Sequence, residues 1–376
     1  MDFNLTEAQT LLKQTAGQFC RQEIEPIADA IDRDGSLPDA LIQKMAAAGF
    51  LGMTLPAQFG GGGFSSLDGI LAIEEISYSG TGAWWMIAFS NSIPESILRF
   101  GTTQQKEKYL PQVSTGASCP SIQFTEADTG SDLDALVTRA RREGDGYIVN
   151  GMKRFSTFGN RNGFAVLYAK DDDGKCSAFI VDKNSPGYSH GKPFQLMGGG
   201  GIETVDVFLD NLPLTKDSLL GKSGDGLAIL QHWIADEKIQ QCGACLGIAQ
   251  AAIDEAKQYA RSRRVKKKPL AGLLNIRTML AEMYALLGAA RWYTYRTAFL
   301  KDQDAHNWTA EAAAAKVFVV PAAMEVIELS RRIHGAYGYT KEFKIERLYR
   351  AIAGASVIAV GLELNKAIVA SHVMRE

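Results

Sequence analysis

The hydrophobic period of this 376-residue chain changes twice, and that double change confines its fold more than any single motif. Up to about residue 118, apolar residues recur at helical spacing. Thr6 to Gln9 has the form of a capping box ahead of Leu11, Leu12, Ala16 and Phe19, and a second helix is expected from about Pro38, on Leu41, Ile42, Met45 and Ala46, stopping at Gly49. Pro56 and the glycines from Gly60 to Gly63 make a loop. Leu67 to Ile76 and Ala83 to Leu98 resume the period, the latter interrupted near Ser92 and Pro94, and residues 100–113 form a polar helical turn closed by Pro111. From Ser121 short β-favouring runs take over: Val137 to Arg141, Tyr147 to Asn150, Phe164 to Tyr168, Ala178 to Val181 and Thr204 to Leu209, separated by turns rich in Gly, Asp and Pro. Gly198 to Gly201 is a flexible run that reads as a plain loop, with the lining of a pocket mouth as the alternative. After Gly224-Asp225-Gly226 the helical period returns through Leu227 to Arg264, Ile276 to Lys301, Ala310 to His334 and Val357 to Met374. The expected class is α+β with three domains: residues 1–118 helical, 119–223 an antiparallel β-barrel or sheet, and 224–376 a helical bundle.

Such a length exceeds what one hydrophobic core serves, which agrees with several packed units. The formal net charge of −2 gives no overall attraction to nucleic acid or to an anionic membrane. No apolar run is long enough to span a bilayer, and the opening MDFNLTEAQ lacks the basic-then-apolar form of a signal peptide, so a cytoplasmic location is expected. Five cysteines, odd in number and scattered, suit reduced thiols. Cys242 and Cys245 make a CxxC, but inside a helical pattern with no second pair they are expected as packing residues, not a metal or redox site.

The densest chemistry lies at the first change of period, in SIQFTEADTGSD, residues 121–132. Thr125, Thr129 and Ser131 offer hydroxyls, Gly130 allows close backbone approach, and Glu126 and Asp132 can fix the turn. A loop of this kind suits a large planar cofactor with many acceptors; the plainer alternative is an acidic turn ending a strand.

Several further pieces fall in a fixed order: Pro56 to Gly61, then Phe100-Gly101 through Gln105-Lys106 to Tyr109-Leu110-Pro111, then Thr125-Glu126 with Gly130-Ser131-Asp132. Next come Asn150-Gly151 with Lys153 and Phe155-Ser156-Thr157, Gly224 to Gly226, Arg263, and Gly335 with Tyr337-Gly338-Tyr339. In this order and spacing the chain resembles the acyl-CoA dehydrogenase family over essentially its full length. The resemblance implies a helical domain, a central β domain and a C-terminal four-helix bundle, assembled as a homotetramer or homodimer, with FAD as cofactor. It implies that Phe124, Thr125, Gly130 and Ser131 border the flavin and its phosphates, and that Phe155, Ser156 and Thr157 lie against the isoalloxazine, Phe155 where the family often has Trp. It implies removal of two hydrogens from an acyl thioester carried by CoA or a carrier protein, a carboxylate taking the α-proton, with electrons passing to an electron-transfer flavoprotein or to oxygen.

The chain departs from the family pattern where the base is usually found. The usual Tyr-Glu-Gly-Thr element falls on Ile358-Ala359-Val360-Gly361, so Ala359 has no carboxylate, although its backbone N–H can still meet the thioester oxygen. Some family members carry the glutamate on the first long helix after the β domain, and that position is Glu237. Trp233 and Ile234, one turn earlier, would desolvate it and raise its proton affinity, while Lys238 would oppose this; otherwise Glu237 is a solvated carboxylate in an Asp-Glu-Lys cluster. Ser131, Asp236, Lys238 and Ala359 are the expected substrate contacts. The flavin grip is also altered: Arg263 is followed by Lys266-Lys267 in place of Phe-Gly, a Gln becomes Leu274, and a second Gln becomes Arg332. That residue precedes Gly335-Ala336; a Thr of the last helix becomes Gly361 and an Arg becomes Gly200. The cations of residues 261–268 could compensate. Trp84-Trp85 could shape a pocket for a branched or cyclic acyl group. Two other readings follow from the departures: a flavin oxidase or monooxygenase on the same fold, or a non-catalytic thioester-binding relative.

Overall fold

The computed structural model describes residues 4–130, 132 and 135–375. Among the described residues seven α-helices come first: α1 (Glu7–Phe19), α2 (Ala28–Asp34), α3 (Asp39–Ala47), α4 (Ser66–Ser77), α5 (Ala83–Phe100), α6 (Thr103–Tyr109) and α7 (Pro111–Ser114). Three of them start on reciprocal capping boxes, Thr6 with Gln9, Ser65 with Asp68 and Thr102 with Gln105, each satisfying two backbone donors that a helix start leaves orphaned. The break expected near Ser92 and Pro94 does not occur. Helix α5 runs unbroken through Pro94 because most of its residues are buried, and packing on this scale outweighs the proline penalty.

The sheet follows, with β1 (Ser121–Gln123), β2 (Arg139–Glu143), β3 (Gly146–Thr157), β4 (Phe164–Lys170), β5 (Cys176–Asp182), β6 (Tyr188–His190), β7 (Thr204–Leu214) and β8 (Leu219–Leu220). Its order is β6-β7-β3-β2-β4-β5-β8, with β1 parallel beside β4. The strands at the two ends, β6 and β8, do not pair, so of the two expected forms, sheet or barrel, the domain is an open sheet, and it is partly mixed rather than wholly antiparallel. Alternate residues Val149, Leu167, Phe179, Val205 and Val207 form its own buried face.

The last part is carried by α8 (Gly226–Ser262), a small hairpin of β9 (Arg264–Val265) and β10 (Lys268–Pro269), α9 (Leu274–Asp302), α10 (Trp308–His334), α11 (Lys344–Ala353) and α12 (Leu362–Val373). An alanine-rich seam, including Ala249, Ala252, Ala256, Ala312 and Ala315, lets α8 and α10 pack closely. Helix α4 approaches as near: a Cβ on Gly247 would stand 1.8 Å from the carbonyl oxygen of Glu74, so only glycine fits there. Helix α11 was not anticipated, and the helix expected from Val357 begins instead at Leu362, leaving residues 357–361 as a loop. Among the described residues no helix is long and apolar enough to cross a membrane, and no cluster of His, Cys, Asp and Glu could hold a metal ion.

Candidate active site

Where α5, α8, the sheet and the 357–361 loop converge they enclose a cavity of about 530 Å³. Its floor is one face of α8: Trp233, Glu237, Gln241, Ala244, Cys245 and Ile248 fall at spacings of three and four, the spacing that keeps side chains on one stripe of a helix. An aromatic wall stands beside it. The Trp84 and Trp85 rings stack at 4.3 Å, Phe89 meets Trp85 edge-on at 5.1 Å and Trp233 at 5.9 Å. Trp233 is held by donating from Nε1 to the Ser92 hydroxyl at 3.1 Å.

Glu237 is 1% exposed, and neither carboxylate oxygen has a hydrogen-bond partner among the described residues. Burial pushes its carboxyl up to about 7, against the pull of the Lys316 and Lys238 ammonium groups, and Asp236 adds to the rise. It is therefore not the solvated carboxylate that an Asp-Glu-Lys cluster suggests. Lys316, on α10, was not foreseen; no local pattern connects it to residue 237. Its side chain is fully buried and its ammonium donates to three successive carbonyls, those of Ile358, Ala359 at 3.1 Å and Val360 at 2.8 Å. Asn365 adds bonds to Val360 O at 2.9 Å and Gly361 O at 3.0 Å. These contacts hold Ala359 at φ 53° and Val360 at φ 69°, left-handed values that an alanine or valine rarely adopts, and this is why the helix cannot begin before Leu362. In a trans peptide the N–H points opposite to the C=O, so the N–H groups of Ala359, Val360 and Gly361 face away from Lys316. All three residues border the cavity.

The sheet supplies the opposite wall through Ile122, Phe124, Thr125, Gly130, Phe155 and Thr157. A register shift between Lys153 and Ser156 along β7 makes a bulge that puts Phe155 at φ 55° and leaves its ring 57% exposed, 5.1 Å from the Phe194 ring. Glu126 organises the adjoining turn. Its carboxylate accepts from the Val137 and Thr138 N–H groups at 2.6 and 3.0 Å and pairs with buried Lys153 at 2.6 Å. Burial alone would raise its carboxyl, but Lys153 and these donors outweigh burial and hold it below the usual carboxylate value. Next to this turn the Thr129 and Ser156 hydroxyls are buried without a described partner. Open hydroxyls, a glycine and an outward aromatic ring are a donor set that fits a flavin. The rim is closed by Leu196 to Gly199, where a Cβ on Gly198 would stand 2.3 Å from the backbone of Arg350.

Of the residues singled out in the sequence, Phe124, Thr125, Gly130, Phe155, Thr157, Glu237, Ala359 and Gly361 border this one cavity, and Ser156 lies buried behind it. Ser131 lies outside the described residues. Asp236 and Lys238 do not line the cavity, because consecutive helical residues point about 100° apart. Asp236 is taken up by Lys301 at 2.6 Å and Gln240 at 2.8 Å, and Lys238 is buried elsewhere on α8. Arg263, Arg332, Gly335 and Ala336 are exposed near the ends of α8 and α10, away from the cavity.

Family models match the chain in three consecutive pieces: the acyl-CoA dehydrogenase N-terminal domain at residues 6–117, the middle domain at 121–212 and the C-terminal domain at 224–374. A curated relative, the 3-(aryl)acrylate reductase of Clostridium sporogenes, is 36% identical over 98% of this chain and 99% of its own. Butyryl-CoA dehydrogenase from Megasphaera elsdenii superposes with a TM-score of 0.97, 29% identity and complete coverage of both chains. A chain solved in work on the electron transferring flavoprotein of Acidaminococcus fermentans superposes equally well, at TM-score 0.97, with 32% identity and complete coverage of both chains.

Proposed function

The chain belongs to the acyl-CoA dehydrogenase family, and from that membership we propose that it is an FAD-dependent oxidoreductase that moves two hydrogens between the α and β carbons of an acyl-CoA, with Glu237 handling the α-proton. The observation that carries this role is a buried, unpartnered carboxylate on the cavity floor whose proton affinity lies near neutrality. When bound, FAD supplies the two-electron acceptor for the β-hydrogen. On the sheet side Phe124, Thr125, Gly130, Phe155, Ser156 and Thr157 would hold it, with Gly361 across the cavity; the family resemblance adds Ser131.

The residues of this chain do the rest. The aromatic wall of Trp84, Trp85, Phe89 and Trp233 excludes water from the reacting carbons. The N–H of Ala359, turned away from the Lys316 clamp, meets the thioester oxygen as negative charge builds on it. Glu237 takes the α-proton in the oxidising direction. Run in reverse, its protonated form returns that proton to the α carbon; this direction is favoured by an affinity near 7, which keeps part of the population protonated, and by the likeness to a reductase. Electrons are exchanged with an electron-transfer flavoprotein, a reading supported by the superposition on the chain from the Acidaminococcus fermentans work; oxygen is the alternative acceptor. A homotetramer or homodimer is supported by the exposed apolar side chains of Trp292, Phe299 and Phe318 on α9 and α10. A second copy would also give Arg263, Arg332, Gly335 and Ala336 a cofactor to contact, which their distance from their own cavity denies them.

The test is anaerobic: mix the yellow holoprotein with a panel of acyl-CoA thioesters and follow loss of the flavin's visible band. A substrate that bleaches the parent should bleach Glu237→Gln more slowly by roughly 10²- to 10⁴-fold. Equal rates would remove Glu237 from the mechanism.

A further inference from the structure

On α8, one turn beyond Glu237, Gln241 is 2% exposed and borders the cavity, and its Oε1 has no hydrogen-bond partner among the described residues. Beyond it on that stripe Ala244, Cys245 and Ile248 offer at most a thiol, Glu237 one turn before it is likewise without a partner, and the aromatic wall is apolar apart from the Trp233 N–H, which Ser92 takes. An orphaned amide oxygen in a largely apolar chamber is costly and calls for a partner, which a ligand in the cavity can supply. Resting on the acyl-thioester reading above, we infer that Gln241 selects the acyl group: the preferred substrate carries a neutral hydroxyl that bonds Gln241, about four bonds beyond the α carbon.

Distance comes from the helix. Four residues of rise separate Gln241 from Glu237 by about 6 Å along the axis, which is the reach of about four to five extended carbon–carbon bonds from a carbon held at the base. Charge comes from the lining. A carboxylate at this point would face Glu237, and the cations at hand are already engaged: of those bordering the cavity, Arg154 is bound to Asp206 at 3.0 Å and Arg350 to Asp32 at 2.6 Å and Glu346 at 2.9 Å, while Lys316 is spent on the Ala359 and Val360 carbonyls. An ammonium would be buried without a paired anion at its own end of the cavity and near Lys238 and Lys316, the two cations that act on Glu237. A hydroxyl is uncharged and both donates and accepts, matching the two edges of a carboxamide.

The experiment compares two unreactive thioethers, S-hexyl-CoA and S-(5-hydroxypentyl)-CoA, which differ only by a methyl against a hydroxyl at the chain end, titrated calorimetrically into the holoprotein. The parent should bind the hydroxylated compound roughly tenfold more tightly, the worth of one hydrogen bond to an otherwise orphaned group. Gln241→Leu should abolish or invert that preference while binding S-hexyl-CoA at least as well. Gln241→Met, nearer to glutamine in length, should do the same, and retained flavin verifies that each variant is folded. Equal binding of both compounds by the parent, or a preference that survives both substitutions, overturns the role of Gln241 and leaves the thioester reading standing. Failure of the parent to bind either compound overturns both.

Discussion

Replacing Glu237 with glutamine keeps the side chain's size and removes its charge, so it isolates what burying that charge costs. Burial lifts the carboxyl from 4.5 to about 7, a difference of about 2.5, and at 1.36 kcal/mol for each pH unit this is about 3 kcal/mol. The sign follows from which state holds the proton. Below about pH 4.5 the folded and unfolded chains are both protonated at this position and no penalty exists. Above it the unfolded chain ionises while the folded one keeps its proton, so the parent loses stability progressively until the folded carboxyl itself ionises near 7. The glutamine variant has no such loss. Urea unfolding of parent and variant apoprotein at about pH 5 and about pH 7.5 should show the variant gaining relative to the parent by about 2 kcal/mol between the two conditions, the rest of the penalty being already present at pH 5. A gap that does not change with pH would mean that the carboxylate is ionised, and so hydrated or paired, in the folded protein, and would refute the argument that burial tunes the base.

Two more substitutions probe the walls. Lys316→Met strips three carbonyls of their donor, and should destabilise the protein by about 2–5 kcal/mol in thermal or chemical unfolding and open residues 357–361 to limited proteolysis. It also removes the cation that pulls most on Glu237, so the rising limb of the pH–rate profile for proton abstraction should move to higher pH; an unmoved limb would separate the two residues. Phe155→Gly relieves a left-handed phenylalanine, and should leave apoprotein stability unchanged or raised by about 1 kcal/mol while weakening flavin retention, measured by titrating FAD into the apoprotein.

What could be read from the sequence is what local physics decides. The changes from helical to strand period and back were legible because each buried face repeats its own spacing, and the Thr6–Gln9 cap because its partners are three residues apart. Closure of the sheet was not legible, since whether β6 meets β8 depends on twist and strand order rather than on the spacing of turns. Helix α11 was missed although Ile345, Leu348 and Ile352 fall on one face; it is short and starts on Phe343 with no side-chain cap. Residues 357–361 misled for the opposite reason. Their apolar run is locally helix-like, and a lysine from another helix, unseen in any local window, bends it into left-handed turns with the help of Asn365. Within the site, Glu237 could be located by its place along the first long helix after the β domain in the family resemblance, but its neighbours Asp236 and Lys238 were credited by adjacency, which on a helix separates side chains rather than gathering them.

The position of the carboxylate changes how the site is divided. On the alignment that sets Ala359 where relatives hold their base, one loop ordinarily carries both the proton acceptor and the amide that meets the thioester oxygen, and moving either disturbs the other. On the reading proposed above, the two tasks rest here on different elements. Glu237 is borne by α8, a helix rigidly packed against α4 and α10, whose face sets it among Trp233, Gln241 and Cys245. The amide is borne by a loop that needs no side chain at residue 359, only carbonyls tied to Lys316 so that the N–H groups turn the other way. The same lysine faces both: its charge lowers the proton affinity of Glu237 as its hydrogen bonds fix the loop. On that reading, coupling between proton transfer and oxyanion binding would pass through Lys316 and not through the backbone of a shared residue. In a double-mutant cycle, Glu237→Gln and Lys316→Met should therefore be non-additive in the rate of flavin bleaching by more than about 0.5 kcal/mol. Strict additivity would show that the base and the loop act independently and that the clamp serves the fold alone.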